Sequence, residues 1–215
     1  MLLISHIYTA VRLKSVANPK SESVYYTASI LPDIRYTASI PREKTHINLN
    51  HAKNIFKKDS DNYKGYYLHL LIDEYMGKWD FLGKLKDEYP KIVQKMLKTP
   101  LLNVIIEIYC LEKIKKLPKI ILNKSYDSAY KKLGINQKDF DDYLLSIQAI
   151  LDDYSIESME NVLLHDEKFK NIKKVQLYRK IGKFIINNGP IKTYLISKIG
   201  GVYDLFITDL NAQYL

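Results

Sequence analysis

Residues 62–79, NYKGYYLHLLIDEYMGKW, decide the reading of this chain. Apolar and aromatic side chains recur there at three- and four-residue spacing, so the segment reads as a helix with Tyr66, Leu70 and Asp73 on one stripe and His69 beside them. Side chains four apart lie one turn apart on the same helical face. His69 and Asp73 can therefore converge on one point, and an imidazole beside a carboxylate suits a metal ion. A His and an Asp at this spacing also hydrogen-bond to each other without any ion, so the rest of the chain has to decide.

Helical periodicity continues on both sides. Residues 2–14 place Leu3, Ile7, Ala10 and Val11 on one face. Residues 88–98 and 100–116 each read as a helix, with Pro100 in a first turn and Pro118 past the end of the second. Residues 136–153 start at an Asn136 cap and bury Phe140, Leu144, Ile147 and Leu151. Residues 166–187 and 190–210 read as two closing helices separated by NNGP. YTASI occurs at 26–30 and 36–40, too few copies for a repeat architecture. No stretch alternates with a period of two between hairpin turns. The expectation is an all-α, single-domain helical bundle, with the metal-site half in residues 1–80 and covering helices in 81–215.

A chain of 215 residues that is 47% hydrophobic can bury one sizeable core. The N-terminus lacks the basic region of a signal peptide, and no apolar run approaches the ~20 residues of a membrane span. The longest run, near Leu101 to Cys110, is broken by Asn103 and Glu107. The single cysteine, Cys110, excludes an intrachain disulfide and a cysteine zinc motif, and reads as a buried thiol. The expected location is cytoplasmic. A net charge of +9 comes from lysines spread through amphipathic segments such as KIKKLPK, where they form solvated faces. No specific nucleic-acid partner is expected. The basic surface suits a phosphate-bearing substrate and peripheral contact with an anionic membrane surface.

The stretch from Tyr25 to His46 departs most from plain helix. Pro32 precedes Asp33, and Pro41 precedes Arg42 and His46. Proline biases its predecessor away from helix, so irregular backbone is expected, able to aim a carboxylate and an imidazole where a helix cannot. An Asp after Pro is also a common cap or turn former.

A His in the first helix (His6), then ILPDI, then a His after a short loop, then GYYLHLLIDEY resembles, over about the first 80 residues, the zinc-dependent phospholipase C family, whose all-α fold is shared with S1/P1 nucleases. The resemblance implies His6, Asp33, His46, His69 and Asp73 as metal ligands. The secreted members of that family also use a processed N-terminal Trp amino group and a further His-x-x-x-Glu helix, which this chain lacks, so one or two ions are implied rather than three.

Asp33, His46, His69 and Asp73 would give two nitrogens and two carboxylates, with His6 as a fifth ligand or the support of a second ion, a set that suits Zn²⁺ first, with Mn²⁺ or Fe²⁺ as alternatives. The implied activity is a metal-dependent phosphoesterase that hydrolyses a phosphodiester of a lipid headgroup or nucleotide through a metal-activated water. Asp33 is the expected proton acceptor. Arg42 or Arg35 would orient the phosphate through a planar fork of donors, and Arg42 is the candidate for substrate binding. His51 is expected to face solvent. His165 with Asp166 resembles the dipeptide of HD-type nucleotide phosphohydrolases, one alternative function; a non-catalytic helical protein that retains a metal site is the other.

Overall fold

A computed structural model describes residues 3–80, 83–84, 99–155, 180, 183–185 and 187–214. Helix α1 (Leu3–Ala17) is followed by α2 (Glu22–Ile30), a 3-10 segment (Leu31–Ile34), and the short helices α3 (Arg35–Ala38), α4 (Arg42–Thr45) and α5 (Leu49–Ile55). The long α6 (Asp61–Lys78) comes next, then α7 (Thr99–Ile114), α8 (Ala129–Lys132), α9 (Gln137–Asp153) and α10 (Gly189–Tyr214). No strand occurs among the described residues, and the fold is all-α. No helix among them is long and apolar enough to cross a membrane. The helices expected at 88–98 and 166–187 fall largely outside the described residues, as do His165 and Asp166.

Helix α6 begins where the Ser60 side chain accepts the Tyr63 N–H and Asp61 places a carboxylate in the first turn. It packs along α2 at close range, while α1 packs on α2, α6 and α7. Helix α10 covers α7, α1 and α6. One continuous apolar core results, with Tyr25, Tyr66, Tyr203, Phe140 and Phe206 fully buried. Cys110 is buried within it, and burial pushes its thiol far up, as expected of a packing residue. Asn136 does cap α9, its side chain accepting the Asp139 N–H at 2.8 Å.

The stretch around the two prolines is more regular than its sequence suggests. Residues 22–30 form an unbroken helix, and Leu31, directly before Pro32, keeps right-handed helical dihedrals. Pro32 sits in the first turn of the 3-10 segment, where a missing N–H costs nothing. Irregular backbone falls at that tighter turn, which carries Asp33, at the left-handed Ser39 with Ile40 and Pro41 after it, and at His46, whose dihedrals leave the helical region. The two YTASI copies share no environment: the first is wholly buried in α2, and the second is mostly part-exposed.

Glu107, on α7, is 7% exposed and accepts the N–H groups of Ile4 (2.8 Å) and Ser5 (2.9 Å) in the first turn of α1. Those amides have no partner within their own helix, and a carboxylate there also meets the positive end of the helix dipole. Burial pushes the Glu107 carboxyl up, against the opposing pull of the two amides. Glu107→Ala would strand both buried donors and is expected to destabilise the protein by roughly 2–3 kcal/mol, read as a lower urea midpoint. Glu107→Gln, which retains an acceptor, should cost less.

Candidate metal centre

Four elements deliver side chains to one place. Helix α1 supplies His6, the 3-10 segment Asp33, the end of α4 His46, and α6 both His69 and Asp73. The His46 Nε2 lies 3.3 Å from His69 Nε2, 3.2 Å from Asp73 Oδ2 and 4.0 Å from Asp33 Oδ1. The His6 Nε2 lies 3.4 Å from Asp73 Oδ1, and its ring stacks on that of His69 with centroids 4.0 Å apart. All five residues singled out by the sequence are thus brought together. His51 is exposed, as expected.

Second-layer contacts hold these groups in place. The His69 Nδ1 is 2.8 Å from the Ser29 carbonyl oxygen, which can only accept, so Nδ1 carries the proton and Nε2 presents its lone pair to the cluster. Burial first, and then the neighbouring His6, holds the His69 imidazole well below its ordinary value, so the ring is neutral near pH 7. His46 is steadied at Nδ1 by the Thr45 hydroxyl, 3.0 Å away, while the Tyr66 hydroxyl donates to the Thr45 carbonyl. Tyr143 of α9 donates to the Ile30 carbonyl, at the entry to the segment bearing Asp33. Burial pushes Asp73 up, but its contacts with His46 and His6 outweigh this and hold its carboxyl well below the usual carboxylate range.

The spacing suits a divalent cation. Two ligand atoms each ~2.1 Å from a tetrahedral ion stand ~3.4 Å apart. The His46–His69 and His46–Asp73 separations of 3.3 and 3.2 Å fit, and the His69–Asp73 separation of 3.9 Å is wider. A second triad, His6, Asp33 and His69, also offers ligand atoms within 4.8 Å of one another. Since His69 has one lone pair to give, it can serve one ion only; a second ion would lean on His6, Asp33 and Asp73 Oδ1. Asp33 Oδ2 is buried with no hydrogen-bond partner, an expensive state for a carboxylate that a cation relieves. Three imidazoles, which ligate a metal in their neutral form, and two carboxylates would present a charge that one divalent cation balances.

Arg42 and Arg35 behave differently. Arg42 donates to Asp73 Oδ2 at 2.9 Å and, with His46, Asn48, Asn50, Leu70 and Asp73, lines a cleft of ≈ 520 Å³ beside the cluster. Arg35 instead lies over the Tyr36 ring, 3.8 Å from its centroid, and donates to the Tyr36 hydroxyl.

No family model, curated protein or solved structure matches the chain. The resemblance to zinc-dependent phospholipase C therefore rests on the quoted residues and their order. Sequence reasoning missed the supporting roles of Glu107 and Tyr143, which lie outside any motif, and that of Tyr66, which lies within the quoted α6 stretch and reads there as a core residue. The Ser29 carbonyl was equally hidden, because a backbone group has no residue signature.

Proposed function

We propose that the protein is a metal-dependent phosphoesterase, cytoplasmic, acting on a phosphodiester of a lipid headgroup or nucleotide. The observation that carries the reading is the set of three imidazoles and two carboxylates at ligand spacing beside an open cleft, one carboxylate oxygen being buried without a partner. His46, His69 and Asp73 would hold one cation, Zn²⁺ before Mn²⁺ or Fe²⁺, with His6 and Asp33 completing the site or holding a second. A cation there supplies Lewis acidity toward a water and a phosphoryl oxygen. Asp33 would accept a proton from the attacking water. The Ser29 carbonyl keeps His69 in its tautomer. Arg42 offers its fork to the phosphate from the cleft side. A net charge of +9 favours an anionic substrate or surface.

The purified protein is expected to bind zinc, hydrolyse bis-p-nitrophenyl phosphate, lose that activity to a chelator and regain it with Zn²⁺ or Mn²⁺. His165→Ala should leave metal content and activity intact; loss of both would favour the HD reading. A metal-replete protein inert toward lipid, nucleotide and generic diesters would overturn the catalytic reading.

A further inference from the structure

Arg42 holds the very oxygen that a cation would need. Its guanidinium donates at 2.9 Å to Asp73 Oδ2, the atom that also lies 3.2 Å from His46 Nε2 and 3.9 Å from His69 Nε2. The other oxygen of Asp73 faces His6. Arg42 is 53% exposed, on the four-residue helix α4, and its neighbours along the cleft include Asn48 and Asn50, which add no positive charge to the mouth. A guanidinium bonded to a ligand oxygen screens the site's negative charge and occupies one of its lone-pair directions. An incoming divalent cation needs both.

We propose that Arg42 is a stand-in cation for this centre: it pairs with Asp73 while no ion is bound, is displaced by the ion, and is thereby released toward the cleft to receive an oxyanion of the substrate phosphate. Metal and phosphate binding are then coupled through one side chain, in a reciprocal manner that linkage requires. The inference rests on the reading of the cluster as a metal centre. It adds that the protein's affinity for its metal is held down by its own substrate-binding residue.

The test is a zinc titration of the metal-free full chain against a chromophoric chelator, at fixed ionic strength, followed by titration of the zinc-loaded protein with inorganic phosphate. Arg42→Gln is expected to tighten zinc binding about two- to fivefold, the size of a part-exposed ion pair, while weakening phosphate binding to the loaded protein. Loss of positive charge alone would favour a cation, so Lys44→Gln serves as control. Lys44 lies on the same short helix, where its side chain approaches Gly134. It should move zinc affinity by less than Arg42→Gln. The opposite sign, weaker zinc binding in Arg42→Gln, would mean that Arg42 supports the ligand from outside the ion and would overturn the proposal, as would equal shifts in the two variants. No zinc binding by the wild-type chain would overturn the metal-centre reading together with it. Far-UV circular dichroism checks that each variant is folded.

Discussion

Asp73→Asn is expected to remove metal and hydrolytic activity together. Its two oxygens face different partners, His6 on one side and His46, His69 and Arg42 on the other, so this carboxylate is the hub of the cluster. Asparagine has nearly the same shape and retains one acceptor, which leaves the packing of α6 intact while deleting the charge that offsets the ion. Losing a partner one layer out costs a metal site 10–100-fold in affinity, so loss of this ligand should cost roughly 100-fold or more. Metal content by elemental analysis and diesterase rate should fall in parallel, with an unchanged helical spectrum. Wild-type zinc affinity in the variant would remove Asp73 from the ligand set.

Gly65→Ala should have the largest effect on stability. A helix interior normally gains about 1 kcal/mol from this change. Here the new Cβ would run into the Tyr25 carbonyl, stand 2.8 Å from Ala28 Cβ and 3.0 Å from the Ser29 nitrogen. Two of those obstacles are backbone, and α2 cannot yield without breaking its own hydrogen bonds. Overpacking of this kind costs roughly 1–3 kcal/mol even in adaptable cores, and a backbone obstacle puts the expected loss at or above ~3 kcal/mol. Separation of α2 from α6 would also pull His69 from the Ser29 carbonyl, so zinc affinity should weaken with the denaturation midpoint. Gly77→Ala, on the same helix with open space around it, is the comparison and should be neutral or mildly stabilising. A stable Gly65→Ala protein would show that the two helices part without cost.

The helices and the candidate ligands were legible for different reasons. Periodicity announced α1, α6, α7, α9 and α10, because each must turn an apolar face inward, and the Asn136 cap is a local device readable from its neighbours. His69 and Asp73 were legible because helical geometry alone makes them neighbours. Asp33 and His46 were marked by the prolines beside them, but only the resemblance joined them to His6 and to the α6 pair; composition and spacing could not do so across three elements. Glu107 looked like a mere interruption of an apolar run. Its role depends on amides 102 and 103 residues away, and no local pattern carries such a pairing. The proline-marked stretch was legible in part: Asp33 and His46 do stand on irregular backbone, whereas a first-turn position suits Pro32 without bending α2.

The Glu107 clasp also orders events in time. Every proposed ligand lies between His6 and Asp73, so a growing chain exposes all of them before Glu107 and Tyr203 are made. Yet the start of the helix bearing His6 is fastened by residue 107, and the same helix receives the Tyr203 hydroxyl at the Thr9 side chain, 2.9 Å away. Contacts spanning 102 to 194 residues close only after their far partner is synthesised. The segment through Asp73 therefore carries these side chains without the frame that sets their spacing, and the cluster acquires its geometry only as α7 and α10 dock.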